Sequence, residues 1–387
     1  MNIDWEAVRE QFPVLKEWVY LNSASFGPLP RCALEAMESH NRRRDEQACV
    51  DFVSWFDDAD RVREMAAALI GAAPADVAFI PNTATALGWL VQGMNLKPGD
   101  RVVALEDEFP NNTYFGHMLG RMGTEFVEVP LPQGKFALDR FCAAIDSRTR
   151  LVLMSAVNYS TGLRPPVEEI GAFLRERRVV FYVDATQGLG ALRLDVGRVQ
   201  ADVVAAHGYK WLLSPAGIGF ACIRPEAREW LEPCVYSWRS HKAWRQVDEL
   251  HHGPPELTEE AQKYEGGLQN FPGIYAMGAV LEMMLRLGPG EIEKRVQQLA
   301  ERGREVLRKA GARLLCDRLP YYESPILAAE FAGADVSRLA VELRKQRVVV
   351  AARHGYLRVS PHFFNSEEDL ARLGEALAAC LTARSSP

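Results

Sequence analysis

VVFYVDATQ (179–187) and AHGYKWLLSPAGIGF (206–220) are the two stretches from which the rest of the chain is best read. In the second, Lys210 stands between Tyr209 and Trp211, just after the β-type run ADVVAA and before a Pro/Gly turn. An ammonium enclosed by apolar neighbours is costly, and unless it is paired its pKa falls until a neutral, nucleophilic amine is available. Taken singly, a lysine is more often a solvated charge. In the first stretch Asp184 ends a β-branched and aromatic run, where a carboxylate can cap the following turn or face a site, and Gln187 fits a helix start equally well. Asp184 and Lys210 end successive strand-like runs 26 positions apart, enough for a crossover between parallel neighbours.

Outward from this pair the same pattern repeats. VAFIP (77–81), RVVALEDE near 101, EFVEVPL near 125, RLVLMSAVNYS near 150 and IGFACIRP near 218 are further strand-like runs, with helical stretches such as DRFCAAIDS and PVEEIGAFLRERR among them. Continuous apolar strands alternating with helices predict an α/β fold with a mainly parallel sheet covered on both faces. In such sheets ligands bind beyond the carboxyl ends of the strands, so the residues that end these runs carry the interest: Glu108 and Phe109, Asn158, Asp184. Residues 4–11 read as a short helix, 30–70 as helical, and 274–311 as a long amphipathic helix region interrupted at LGPGE. Strands near 325 and 347 and a closing helix from SEEDLARLGEALAACL suggest a small α+β unit.

Three further segments supply candidate partners for Lys210. VAFIP breaks into Asn82, Thr83, Ala84 and Thr85 at a helix start, which offers backbone N–H groups, hydroxyls and a positive dipole end suited to phosphate; helix capping explains the same residues. YLRVSPHFFN ends a strand at Arg358, which can clamp a carboxylate or sit in a structural ion pair. WVYLNSASFGPLP turns through small residues that permit a close backbone approach, or form an ordinary loop. The loop CVYSWRSHKAWRQVDELHHGPPELT, rich in Trp, Arg and His, is open to three readings: a pocket wall, a solvent-facing loop or a subunit contact.

Composition narrows the classes. The 387 residues carry a formal charge of −6 and no long basic run, against a nucleic-acid role. The seven cysteines form no CxxC pair and fit reduced thiols in a cytoplasmic protein; no zinc-type spacing occurs, and no stretch approaches a membrane span. GLGALR and GIGFAC lack the third glycine of a dinucleotide fingerprint, and no Walker-type loop occurs.

A phosphate-binding helix start, a strand-end aspartate, a desolvated lysine and an arginine for a carboxylate are the parts of a pyridoxal phosphate site. From YLNSASFGPLP to LRVSPHFFNSEEDL, and most specifically in VDATQ…HGYKWLLSPAGIGF, the sequence resembles the class V aminotransferase family of fold type I pyridoxal phosphate enzymes, which includes cysteine desulfurases, kynureninases and isopenicillin N epimerase-like proteins. The resemblance implies a large cofactor-binding domain over 21–265 and a smaller α+β domain formed by 1–20 with 266–387. It implies Lys210 as the imine lysine, Asp184 as partner of the ring nitrogen, and Gln187 and Asn158 near the phenolic oxygen. Thr83, Ala84 and His207 then contact the phosphate, Phe109 stacks on the ring, and Arg358 takes the substrate α-carboxylate beside Asn22 and Ala24. Gly267 stands where many relatives have a threonine that reaches the neighbouring subunit's phosphate.

The resemblance further implies a cytoplasmic homodimer acting on an amino acid through an external aldimine and a quinonoid, by aminotransferase-type or C–S lyase (β-elimination) chemistry. Epimerisation of the isopenicillin N type is the alternative, and a non-catalytic binding or regulatory module the reading from another class. VVVAARHGYLRVS runs through without the cysteine that desulfurases carry before the arginine, so persulfide chemistry is not expected. Phenylalanine at 109, where the family often has histidine, removes one acid/base group.

Overall fold

The computed structural model describes residues 3–382. Val19–Tyr20 (β1) opens the chain after a short helix, Trp5–Arg9, whose first amides are capped by the Asp4 carboxylate. Seven strands then build the main sheet: Val77–Ile80 (β2), Arg101–Leu105 (β3), Glu125–Val129 (β4), Thr149–Ser155 (β5), Val180–Asp184 (β6), Val203–His207 (β7) and Gly219–Ile223 (β8). Their order is β4-β3-β5-β6-β7-β8-β2, and only β8 runs against its neighbours. All seven lie on the runs expected to be strands.

Successive residues of these strands feed two different cores. Val103, Val152, Phe181 and Val204 join one buried cluster, while Val102, Leu151, Tyr182 and Val203 join another on the opposite face. Each buried side chain of this size contributes about 1.5–3 kcal/mol, so a strand with apolar residues at both parities is held only where both faces are covered. The strand β3 leads to β4 on one side and lies beside β5 on the other, and this reversal of direction leaves a crevice at the carboxyl ends.

The 30–70 stretch is two helices, Arg31–Glu46 and Ser54–Ile70, separated where Ala48 and Cys49 take positive φ. The 274–311 region is likewise two, Phe271–Leu287 and Pro289–Lys309, broken at Gly288. The remaining strands are Arg313–Leu314 (β9), Leu327–Glu330 (β10), Val348–Val349 (β11), Ala351–Arg353 (β12) and Tyr356–Val359 (β13), and helix Glu367–Thr382 closes the described chain. β9, β10, β12 and β13 form an antiparallel sheet, whereas β11 pairs in parallel with β1.

That last pairing positions the site. With Val19 opposite Val348 and Asn22 bridged to Ser360, the turn at 22–27 is drawn across to the strand that carries Arg358. We propose a domain boundary inside helix Pro289–Lys309 rather than at 265/266, because buried residues from Phe271 through Ile292 and Val296 join the larger core, whereas Leu299, Ala300, Val306 and Leu307 of the same helix join the smaller. No helix among the described residues is long and apolar enough to cross a membrane.

Candidate active site

Lys210 lies in the turn after β7, beyond the sheet's carboxyl edge and 7% exposed. Burial pushes its pKa down to about 8, against the pull of Asp184 and with help from the charges of Arg358 and Arg353. Its Nζ lies 5.3 Å from the Phe109 ring centroid and 5.4 Å from that of Tyr209. The turn is held from below. Gly27 donates its amide to the Tyr209 carbonyl (2.8 Å), and a Cβ at Gly27 would sit 2.1 Å from the Lys210 oxygen. The small residues of 22–27 therefore serve an approach to the lysine's own backbone.

Asp184 ends β6 and is buried, with Oδ1 accepting from the Thr186 amide at 2.9 Å. Gln187 spans two elements: its Nε2 donates to Ala24 O (3.0 Å) and its Oε1 accepts from Trp211 Nε1 (2.9 Å). Asn158 is equally committed. Its Oδ1 accepts from the amides and hydroxyls of Ser160 and Thr161, and its Nδ2 donates to Asp107 O. Each of these amides keeps one N–H for a further acceptor.

At the helix Thr83–Gly93, Asn82 caps the Thr85 amide, so the capping reading holds for that residue. Helix geometry leaves the Ala84 amide without an intrahelical acceptor. His207 Nε2 accepts from the Thr83 amide (3.4 Å), which puts the ring proton on Nδ1. That Nδ1 is buried with no protein partner, and burial lowers the ring's pKa to about 4, so it is a neutral donor at physiological pH. An orphaned buried donor beside a free helix amide fits an anionic group such as phosphate. Thr186 supports this corner through Oγ1, which accepts from the His207 amide.

Arg358, on β13, is 1% exposed and has no carboxylate within ion-pair reach among the described residues. Its Nη1 donates to Tyr159 O (2.6 Å) and its Nη2 to Ser25 Oγ (2.5 Å) and Asn22 Oδ1 (3.3 Å), while Nε is buried without a partner. Burial pushes its pKa down to about 9, which still leaves it charged at neutral pH. The structural ion pair open from sequence is not formed. Ala24 holds its place through its amide on Ser360 Oγ (3.1 Å).

The fold thus links Lys210 with Phe109, His207 with Thr83, Gln187 with Ala24 and Arg358 with Asn22, while Asp184 and Asn158 lie at the carboxyl ends of neighbouring strands β6 and β5 and Ala84 follows Thr83 in the first turn of its helix. Gly267 is not joined to them by any hydrogen bond of the described residues; its carbonyl accepts from Arg239. Sequence reasoning gave three residues no role at the site, although Glu108 was among the strand ends it singled out. Ser25 holds Arg358, and its signal was its place in the same small-residue turn. Glu108, fully enclosed by Ser155, Asn112 and the Phe109 amide, fixes the Phe109 backbone. Tyr209 packs edge-on against the His207 ring.

The family model described as "Aminotransferase class-V" matches residues 19–373. The chain is 29% identical to isopenicillin N epimerase of Streptomyces clavuligerus, over 97% of this chain and 98% of that protein. It is 26% identical to a probable cysteine desulfurase of Methanothermobacter thermautotrophicus, over 96% and 97%. Among solved structures, the cystine C–S lyase C-DES, in complex with its product cysteine persulfide, superposes with a TM-score of 0.86 at 22% identity, covering 95% of this chain and 99% of that one.

Proposed function

The chain belongs to the aminotransferase class-V family, whose cofactor is pyridoxal 5'-phosphate, and from that premise we propose that it acts on an α-amino acid by aminotransferase-type or lyase chemistry. The observation that carries this reading is the pairing of two buried cations, Lys210 and Arg358, neither balanced by a carboxylate in contact. A guanidinium kept charged and uncompensated in the interior is suited to an incoming carboxylate, here the α-carboxylate of the substrate.

The cofactor, when bound, draws electrons from the bond broken at the substrate's Cα. In the proposed arrangement Lys210 supplies the amine that attaches it and afterwards carries the α-proton, a task suited to an amine whose pKa lies near 8. Asp184 would hold a proton on the ring nitrogen. Gln187 and Asn158 would each offer a remaining amide N–H to the phenolic oxygen, and Ala84, Thr83 and His207 would hold the phosphate. Phe109 would cover the ring and has no group for proton transfer. Gly267 would contribute from the partner subunit of a homodimer.

Two readings separate by product. Similarity to an epimerase supports inversion at Cα, which returns the opposite enantiomer, whereas transamination yields a keto acid and elimination yields pyruvate, ammonia and a released thiol or sulfide. Against a persulfide-forming desulfurase stands the hairpin itself: β12 turns into β13 through His354 and Gly355 alone, with no cysteine between Ala351 and Val359. The test is to purify the protein with added cofactor, record the visible absorbance, and identify products from a panel of amino acids. A protein that shows no cofactor band, or that leaves every amino acid unchanged, sinks the enzyme reading and favours a non-catalytic binding module.

A further inference from the structure

The hairpin that presents Arg358 carries a second cation on the same face. In the β12–β13 ladder Ala351 stands opposite Arg358 and Arg353 opposite Tyr356. Cross-strand partners share a face, as do residues two apart on one strand, so Arg353 projects on the Arg358 side, one diagonal step toward the tip, with about 7–8 Å between Cα atoms. The hydrogen bond of its guanidinium runs from Nη1 to the carbonyl of Ala352 (2.7 Å), and no carboxylate of the described residues lies within ion-pair reach. The missing counterion does not by itself single out Arg353, since exposed Arg121 and Arg178 are in no ion pair of the described residues either; its place on the Arg358 face does.

The tip is anchored to the crevice. His354 and Gly355 both take positive φ (47° and 82°), a two-residue reversal that is strained at a histidine. His354 Nε2 lies 2.7 Å from the Tyr159 hydroxyl, which holds the tip against the site. Tyr159 in turn gives its carbonyl to Arg358 and sets its ring edge-on to Phe109, with centroids 5.2 Å apart. Arg353 is close enough for its charge to depress the pKa values of both Lys210 and Arg358. Burial raises the pKa of the Tyr159 hydroxyl and the charge of Asp107 adds to this, while Arg353 and Arg358 oppose it.

We propose that Arg353, with the Tyr159–His354 pair beside it, binds a second anionic group at the far end of the substrate side chain, so that the preferred substrates are amino acids with an acidic side chain. This inference rests on Arg358 taking the α-carboxylate. Two guanidiniums one diagonal step apart on a single hairpin then read the two ends of an acidic amino acid, and an amide-ended analogue leaves Arg353 without its counterion.

The test is calorimetric titration of the cofactor-loaded protein with aspartate, glutamate, asparagine and glutamine. Each acid is expected to bind about ten- to a hundredfold more tightly than its amide, the range of a charge-assisted hydrogen bond, with the gap shrinking as salt is added. Arg353→Gln should bring the acid-to-amide ratio close to one, and Arg353→Lys should restore part of it. Amides that bind as well as acids, acids that do not bind, or an Arg353→Gln protein that keeps the full ratio would each overturn the proposal. Failure of the underlying reading is separately visible: Arg358→Gln should weaken acids and amides alike, and if it leaves both unchanged it is the α-carboxylate assignment that falls.

Discussion

Two of the clusters in which this molecule buries arginine differ in one respect. At the loop 234–252, Arg239 (3% exposed) and Arg63 close on the carboxylate of Glu265, at 3.1 and 2.5 Å, Arg63 also reaches Asp60 (3.4 Å), and Arg239 is stacked over Phe56 and Trp244. At the crevice, Arg358 is at least as deeply buried and meets only hydroxyl and carbonyl or amide oxygens. The first cluster completes its own charge and is structural; it also explains the Trp- and Arg-rich loop, which packs on helix Ser54–Ile70 instead of lining the site. In the proposed function the second is completed by the α-carboxylate of the substrate. Burial of a charge does not mark function by itself, whereas burial without a counterion does.

The sharpest way to break this contrast is to remove charge from each side and read different quantities. Lys210→Ala should lower turnover by about 10²–10⁴-fold and abolish the visible band of attached cofactor, because no neighbouring side chain can supply the amine. Arg358→Gln should raise KM for amino acids while leaving the urea midpoint unchanged or higher, since it removes an uncompensated buried charge. Glu265→Gln should do the reverse. It leaves buried Arg239 without a carboxylate and Arg63 with Asp60 alone, so stability should fall by about 3–5 kcal/mol in urea titration, with KM little changed in the fraction that stays folded. If Glu265→Gln instead raises KM and spares stability, the division into a structural and a functional cluster is wrong.

A second comparison concerns the two buried cations of the site itself. Arg358 stays charged across the physiological range, whereas Lys210, with a pKa near 8, is divided between its two forms. Modification of Lys210 in the cofactor-free protein by an amine-specific reagent should therefore rise through a midpoint near pH 8. A midpoint near 10.5 would mean that the enclosure by Phe109 and Tyr209 does not desolvate the amine.

The strands were legible because burial on both faces leaves runs such as VVFYV and RLVLM apolar at both parities, and Lys210 and Asp184 were legible because they end such runs. The partners that the chain itself supplies were not. Gln187 bridges Ala24 and Trp211 across 163 and 24 positions, and Asn158 reaches back to Asp107, so their commitments depend on tertiary contacts that periodicity does not encode. Arg358 was the instructive case: a strand-end arginine reads the same whether or not a carboxylate awaits it, and only the packed neighbourhood separates the two. The break at 288 falls at the LGPGE interruption that the sequence shows, whereas the one at 47–53 interrupts an otherwise continuous helical pattern and hangs on positive φ at Ala48 and Cys49, residues that do not advertise it.

Beneath the site, His362 gives a pH-dependent contrast with the charged residues above it. Its ring is fully buried, with Nδ1 accepting from the Phe363 amide (2.8 Å) and Nε2 therefore donating to Trp211 O (2.8 Å), so both nitrogens are used by the neutral form. Burial lowers its pKa to about 4. In the unfolded chain the same ring titrates near 6.5, so between these values the unfolded state binds the extra proton and stability falls as pH falls. The shift corresponds to about 3 kcal/mol between pH 6.5 and 4, and His362→Gln should flatten that part of the stability–pH curve. An unchanged slope would place the acid sensitivity elsewhere.

The smallest expected effect tests how the lysine turn is supported. Gly27 is the point at which the N-terminal turn touches the Lys210 carbonyl, and an added methyl there would lie 2.1 Å from that oxygen and 2.6 Å from Leu213 Cδ2. Backbone has to move to admit it, at a cost of about 1–3 kcal/mol. Because the atom displaced belongs to Lys210 itself, Gly27→Ala should also shift the midpoint of amine modification away from pH 8, which a simple packing defect remote from the site would not do. A protein destabilised by that amount with an unmoved midpoint would show that the turn supports the fold but does not set the environment of the lysine.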